Sequence, residues 1–127
     1  MQNELKISSS EFTPEINLNA ETGNLLFQGR SMPEDIAGFF DPISDWIKSY
    51  IENPKEKTEL TIFYEYYNSS TARRMTEIIF DLEILQERGH EVKVIWCYKS
   101  GDMIMKENGE EIQSVIEVPF ELQQITA

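Results

Sequence analysis

A chain of 127 residues, 40% apolar and 27% charged, is long enough for one domain with a real core. That composition excludes collagen, a coiled-coil rod and a fully disordered chain. Lysine and arginine number 11 against 23 aspartates and glutamates, a net charge of −12 that repels nucleic acid and anionic membrane and favours basic protein surfaces or small ligands as partners.

The first residues, MQNELKISSS, lack the apolar stretch of a signal peptide. Residues 1–12 read as a loose polar arm that Leu5 and Ile7 alone can anchor, with room for a short edge strand at most. From Glu15 the pattern has a period of two: Ile16 and Leu18 alternate with Asn17 and Asn19. Ala20 to Gly23 supplies turn chemistry and Leu25 to Gln28 the returning strand, so a β-hairpin is expected.

Ser31-Met32-Pro33-Glu34 has the spacing of a helix capping box, with Ser31 as the cap. Apolar residues then recur at Ile36, Phe39, Phe40, Ile43, Ile47, Tyr50 and Ile51, one face of a helix. Pro42 predicts a kink or a restart with Asp41 as second cap, and Pro54 ends the helix. Thr58 to Tyr67 is aromatic and β-branched, a strand that would align Leu60, Ile62, Tyr64 and Tyr66 on one face.

A second helical stripe runs Ala72, Met75, Ile78, Ile79, Leu82, Leu85 and closes at Arg88-Gly89-His90. Glu91 to Tyr98 is the next strand, parallel to the previous one across a βαβ crossover. Asp102 to Val115 reads as a helix weakened by Gly109. Val118 to Ile125, with Pro119 near its start, reads as an edge strand. The expected fold is α/β: a single domain over 1–127 with a small mixed sheet of about five strands, in the order β-β-α-β-α-β-α-β, and helices mainly on one side. No apolar run approaches the ~18–20 residues of a membrane span.

Enzymatic machinery is sparse. His90 follows a helix-ending glycine, where a surface loop explains it better than catalysis. Cys97 is the one cysteine, so no internal disulfide or cysteine cluster forms; it reads as a small core residue in a reducing cytoplasm. No phosphate-binding loop, zinc motif or CxxC occurs, and no cofactor is expected. Glu107, Glu110 and Glu111 near Asp102, and Glu52 near Glu56, read as solvated acidic faces rather than metal or acid–base sites. A small carboxylate enzyme using Glu65, Tyr66 or Glu111 would need a cleft holding a carboxylate of raised pKa. A constitutive acidic adaptor is the other rival.

Asn68-Ser69-Ser70-Thr71-Ala72-Arg73-Arg74 stands at a strand-to-helix turn. One such residue suffices as a cap. Four small polar residues in a row also offer three hydroxyls to a kinase, at the positive end of a helix where amide donors stabilise a phosphate. Arg73 or Arg74 would neutralise part of its charge.

With that turn in place, the layout resembles anti-sigma-factor antagonists of the STAS type and, more closely, the SiaC-type family of bacterial regulatory phosphoproteins. The residues that carry the match are Thr13-Pro14-Glu15-Ile16, Gly29-Arg30-Ser31-Met32-Pro33-Glu34, Phe40-Asp41-Pro42-Ile43 with Trp46-Ile47, Tyr67-Asn68-Ser69-Ser70 and Val118-Pro119-Phe120-Glu121. The resemblance implies a non-enzymatic partner switch. A dedicated Ser/Thr kinase phosphorylates the hydroxyl after the asparagine and a metal-dependent Ser/Thr phosphatase removes it. The unphosphorylated form activates a diguanylate cyclase and promotes cyclic-di-GMP signalling and biofilm behaviour. Carried over, the acceptor is Ser69, where the family's usual residue is threonine; Ser70 and Thr71 remain alternatives. Asn68, Ser70, Thr71, Arg73 and Arg74 would shape the turn or meet the partner.

Overall fold

In the computed structural model, which describes residues 3–126, the order is β1 (Glu4–Ile7), β2 (Glu15–Asn19), β3 (Asn24–Ser31), α1 (Ile36–Glu52), β4 (Lys57–Tyr67), α2 (Ser69–Glu87), β5 (Glu91–Lys99), α3 (Met103–Gln113) and β6 (Phe120–Ile125). The strands form one six-stranded sheet whose spatial order is its chain order. The 8–14 loop and the 20–23 turn carry no crossover helix, and β1, β2 and β3 pair antiparallel. From β3 to β6 each connection carries a helix and each pairing is parallel, because only a long crossover returns the chain to the same end of the sheet.

Crossovers of one hand between successive neighbours place every helix on the same side. The core follows: Ile16, Leu18, Leu25, Phe27, Leu60, Ile62, Val94 and Trp96 from the strands meet Phe40, Ile47, Ile79, Leu82 and Ile112 from the three helices in one buried cluster.

Four expectations need correction. The sheet has six strands rather than about five, because the arm is not loose: Leu5 pairs with Leu18 and Ile7 with Ile16, and both side chains pack against the core. (Met1 and Gln2 of that arm lie outside the described residues.) Ser31 does not cap α1; it ends β3 fully buried, and Asp35 is the cap, its carboxylate accepting from the Gly38 amide at 3.0 Å. The helix does not restart at Pro42 but runs through it as one element, so Asp41 is no second cap. Finally, Tyr66 leaves the face shared by Leu60, Ile62 and Tyr64. A bulge sets Gly29 opposite Tyr64 and Arg30 opposite Tyr66, so Glu65 is extra. The alternation slips by one residue. Tyr66 is exposed, and Tyr67 turns inward instead, its ring 5.5 Å from Tyr64 and 5.9 Å from Trp96. Gly29 sits at φ +114°, a conformation that residues with a Cβ rarely adopt.

Candidate functional site

The β4–α2 junction starts with Asn68. Its backbone is still extended, and its side-chain oxygen accepts from the Thr71 amide at 3.0 Å, so Asn68 is the cap and Ser69 opens the helix. The following hydroxyls meet different surroundings. Ser69 and Ser70 are exposed. Thr71 is completely buried; its hydroxyl donates to the Ser31 carbonyl at 3.1 Å and shares a 2.8 Å hydrogen bond with the Ser31 hydroxyl. The Asn68 amide donates to the same Ser31 carbonyl at 3.1 Å. The end of β3 therefore clamps the helix head from below, while the two serines face solvent.

The arginines also separate. Arg74 reaches back to α1, with Asp41 at 2.8 Å, the Ser44 hydroxyl at 3.0 Å and its guanidinium over the Phe40 ring. It ties two helices together rather than lining the Asn68–Thr71 turn. Arg73 is exposed and stands on the rim of a groove of about 470 Å³ between α2 and α3. Ala72, Phe80, Ile112 and Val115 make that groove apolar, and Glu77 and Glu111 are its carboxylates. Tyr67 closes the end beside the helix head. Burial, the Glu111 charge and, in the opposite sense, an Asn108 hydrogen bond leave the Tyr67 hydroxyl pushed up to about 12, so it is a neutral donor at physiological pH.

Across the ridge formed by Glu77 and Phe80 lies a more polar depression of about 440 Å³ between α1 and α2, with Asp41, Asp45, Asp81 and Lys48 on its walls. Burial raises the Asp81 pKa, Lys48 opposes that and Glu77 adds to it. The outer face of α2 thus presents apolar surface flanked by carboxylates, a surface suited to an amphipathic, basic protein segment.

The other candidates are not brought together. Glu65 pairs with Lys99 at 3.3 Å on the helix-free face of the sheet, whereas Glu111 belongs to the α3 rim on the opposite side. Tyr66 stacks under Arg30 at 5.6 Å. Glu65, Tyr66 and Glu111, the candidates for a small carboxylate enzyme, therefore share no cleft. Cys97 is buried, and burial followed by the Glu121 charge raises its thiol pKa. Among the described residues no cluster of three histidine, cysteine or acidic side chains is arranged to hold a metal ion, and no helix is long and apolar enough to cross a membrane.

Sequence reasoning missed Ser31 as the partner of Thr71, and it missed Phe80, an exposed aromatic beside the buried Ile78-Ile79 pair. Phe80 had a legible signal, since it stands off the apolar stripe of its helix. Ser31 had none, because its partner is forty positions away.

The sequence matches the description SiaC family regulatory phosphoprotein over residues 7–125. The chain belongs to the SiaC family. It is a regulatory protein rather than an enzyme. An uncharacterized protein of Pseudomonas aeruginosa is 28% identical over 120 residues, 94% of this chain and 95% of the relative. The crystal structure of the diguanylate cyclase SiaD in complex with its activator SiaC, from Pseudomonas aeruginosa, contains a chain similar at TM-score 0.90 and 28% identity, with 95% of this chain and 99% of that chain covered. Apo-SiaC from the same organism is similar at TM-score 0.89 and 28% identity, covering 96% of this chain and 99% of its own. The family match over residues 7–125 includes the Asn68–Ser69 turn and the residues that line the groove.

Proposed function

We propose that this chain is a cytoplasmic, phosphorylation-controlled partner switch, with Ser69 the acceptor and a diguanylate cyclase the partner. A Ser/Thr kinase adds the phosphate and a metal-dependent Ser/Thr phosphatase removes it. The observation that carries the reading is the exposure of Ser69 at the head of α2, next to an apolar groove rimmed by carboxylates. Family membership supports the phosphoprotein role, and the relative that activates a cyclase supports the class of partner. The buried state of Thr71 argues for Ser69 or Ser70 as the modified residue. Ser69 is favoured because it directly follows the capping asparagine.

The switch needs no change of fold. A partner seated over the helix head would have to desolvate a phosphate carrying roughly −1.5 to −2 charge, and an unpaired buried charge costs several kcal/mol. About 2.7 kcal/mol is already a hundredfold in affinity. The unphosphorylated form is then the one that binds.

The test is phosphate labelling by the cognate kinase together with capture of the cyclase. Ser69→Ala should abolish labelling and retain capture. Ser69→Asp should weaken capture by roughly tenfold or more. Undiminished labelling of Ser69→Ala moves the acceptor to Ser70. Capture that ignores phosphorylation but falls steeply with salt replaces the switch with a constitutive acidic adaptor.

A further inference from the structure

The head of α2 carries two arginines, and the fold has committed only one of them. Arg74 holds Asp41 at 2.8 Å, Ser44 at 3.0 Å and, more loosely, Glu77 at 3.7 Å. Arg73 makes no ion pair among the described residues, is exposed, and is the one cation lining the α2–α3 groove. Ser69 lies four positions before Arg73, so about one helical turn, ~6 Å of rise, separates them on the same face. Ser70 stands in that relation to Arg74, whose donors are already engaged.

We propose that a phosphate on Ser69 captures Arg73 from the groove rim, so that modification at the helix head changes the charge of the groove beside it. This rests on the Ser69 assignment above. The guanidinium presents paired N–H donors that match two phosphate oxygens, and a one-turn separation is within its reach. The first-turn amides of Ser69 and Ser70 supply further donors, while the Thr71 amide is already taken by Asn68. The nearby cation on β3, Arg30, is held over the Tyr66 ring. Once Arg73 turns to the phosphate, the charges left on the groove are those of Glu77 and Glu111. A partner segment that had placed an acceptor against Arg73 loses that contact. The same event that adds charge at the rim therefore removes a donor from the groove.

The test uses the full chain with phosphoserine installed at position 69 by codon expansion, followed by phosphorus NMR through its second ionisation. Free phosphoserine ionises near pH ~6. Arg73→Gln should raise the ionisation relative to the parent by about half a unit, the modest shift expected of an exposed partner, while Arg74→Gln and Arg30→Gln should leave it in place. Without any phosphate, Arg73→Gln should weaken cyclase capture by roughly three- to tenfold. Identical titrations of the parent and Arg73→Gln would overturn the pairing, as would a shift that follows Arg74 or Arg30. Unchanged capture by unmodified Arg73→Gln would overturn the link to the groove. Because the phosphate is installed and not added by a kinase, labelling of Ser70 in the kinase assay overturns the Ser69 assignment while the titration still decides the arginine.

Discussion

Thr71 and Ser31, forty positions apart, bury two hydroxyls against each other at 2.8 Å. Each makes up for the water the other has lost, and the Thr71 hydroxyl also satisfies the last carbonyl of β3 at 3.1 Å. Thr71→Val keeps the shape and leaves the Ser31 carbonyl its Asn68 amide donor, but it removes the second donor to that carbonyl and takes the Thr71 oxygen away from the buried Ser31 hydroxyl. It should cost about 1–3 kcal/mol in urea unfolding, whereas Thr71→Ser should retain most of the stability. Equal stability of Thr71→Val and the parent would show that the pair contributes nothing. This site was only half legible in the chain. The run Asn68 to Thr71 announced a helix head, since capping depends on neighbours a few residues away. Ser31 read equally well as a cap, and its position at the buried end of β3 depends on pairing with Tyr67.

Element α3 shows why a weak helix-former is retained. Gly109 lies where the helix crosses β5 and β6; a Cβ there would fall 2.7 Å from the Trp96 indole nitrogen and 2.7 Å from Leu122, with Trp96 Cδ1 closer still. The indole nitrogen already donates to the Met105 carbonyl at 2.9 Å, so the ring cannot simply swing aside. Gly109→Ala gains helix propensity of roughly 1 kcal/mol, yet overpacking of this kind costs about 1–3 kcal/mol. The variant should therefore lose stability, with altered tryptophan emission and weaker partner capture, because Asn108 and Glu111 on the same helix line the groove. A stabilised Gly109→Ala would mean that α3 has room to lift. Pro42 teaches the reverse lesson. Local rules forecast an interruption, but Phe40, Ile43, Trp46 and Ile47 bury around it and packing holds α1 as one helix.

For the molecule as a whole, the charge of −12 is a standing cost of compaction. Raising NaCl from ~10 mM to ~150 mM shortens the screening length from ~30 Å to ~8 Å. The urea midpoint should rise with it; a fall would show that pairs such as Arg74–Asp41 outweigh the general repulsion. Net charge, the order of helices and strands from β2 onward, the parallel β4–β5 pair and the hydroxyl run were all determined by the sequence itself, because composition and short-range periodicity govern them. The family resemblance pointed to a phosphoacceptor within that run. Only the tertiary structure decided that the arm becomes a sixth strand, that Thr71 is sealed while Ser69 and Ser70 face water, that a bulge exchanges Tyr66 for Tyr67, and that Arg74 is committed while Arg73 borders a groove. Each of these is settled by which remote residue ends up adjacent, and no window of neighbouring residues contains that information.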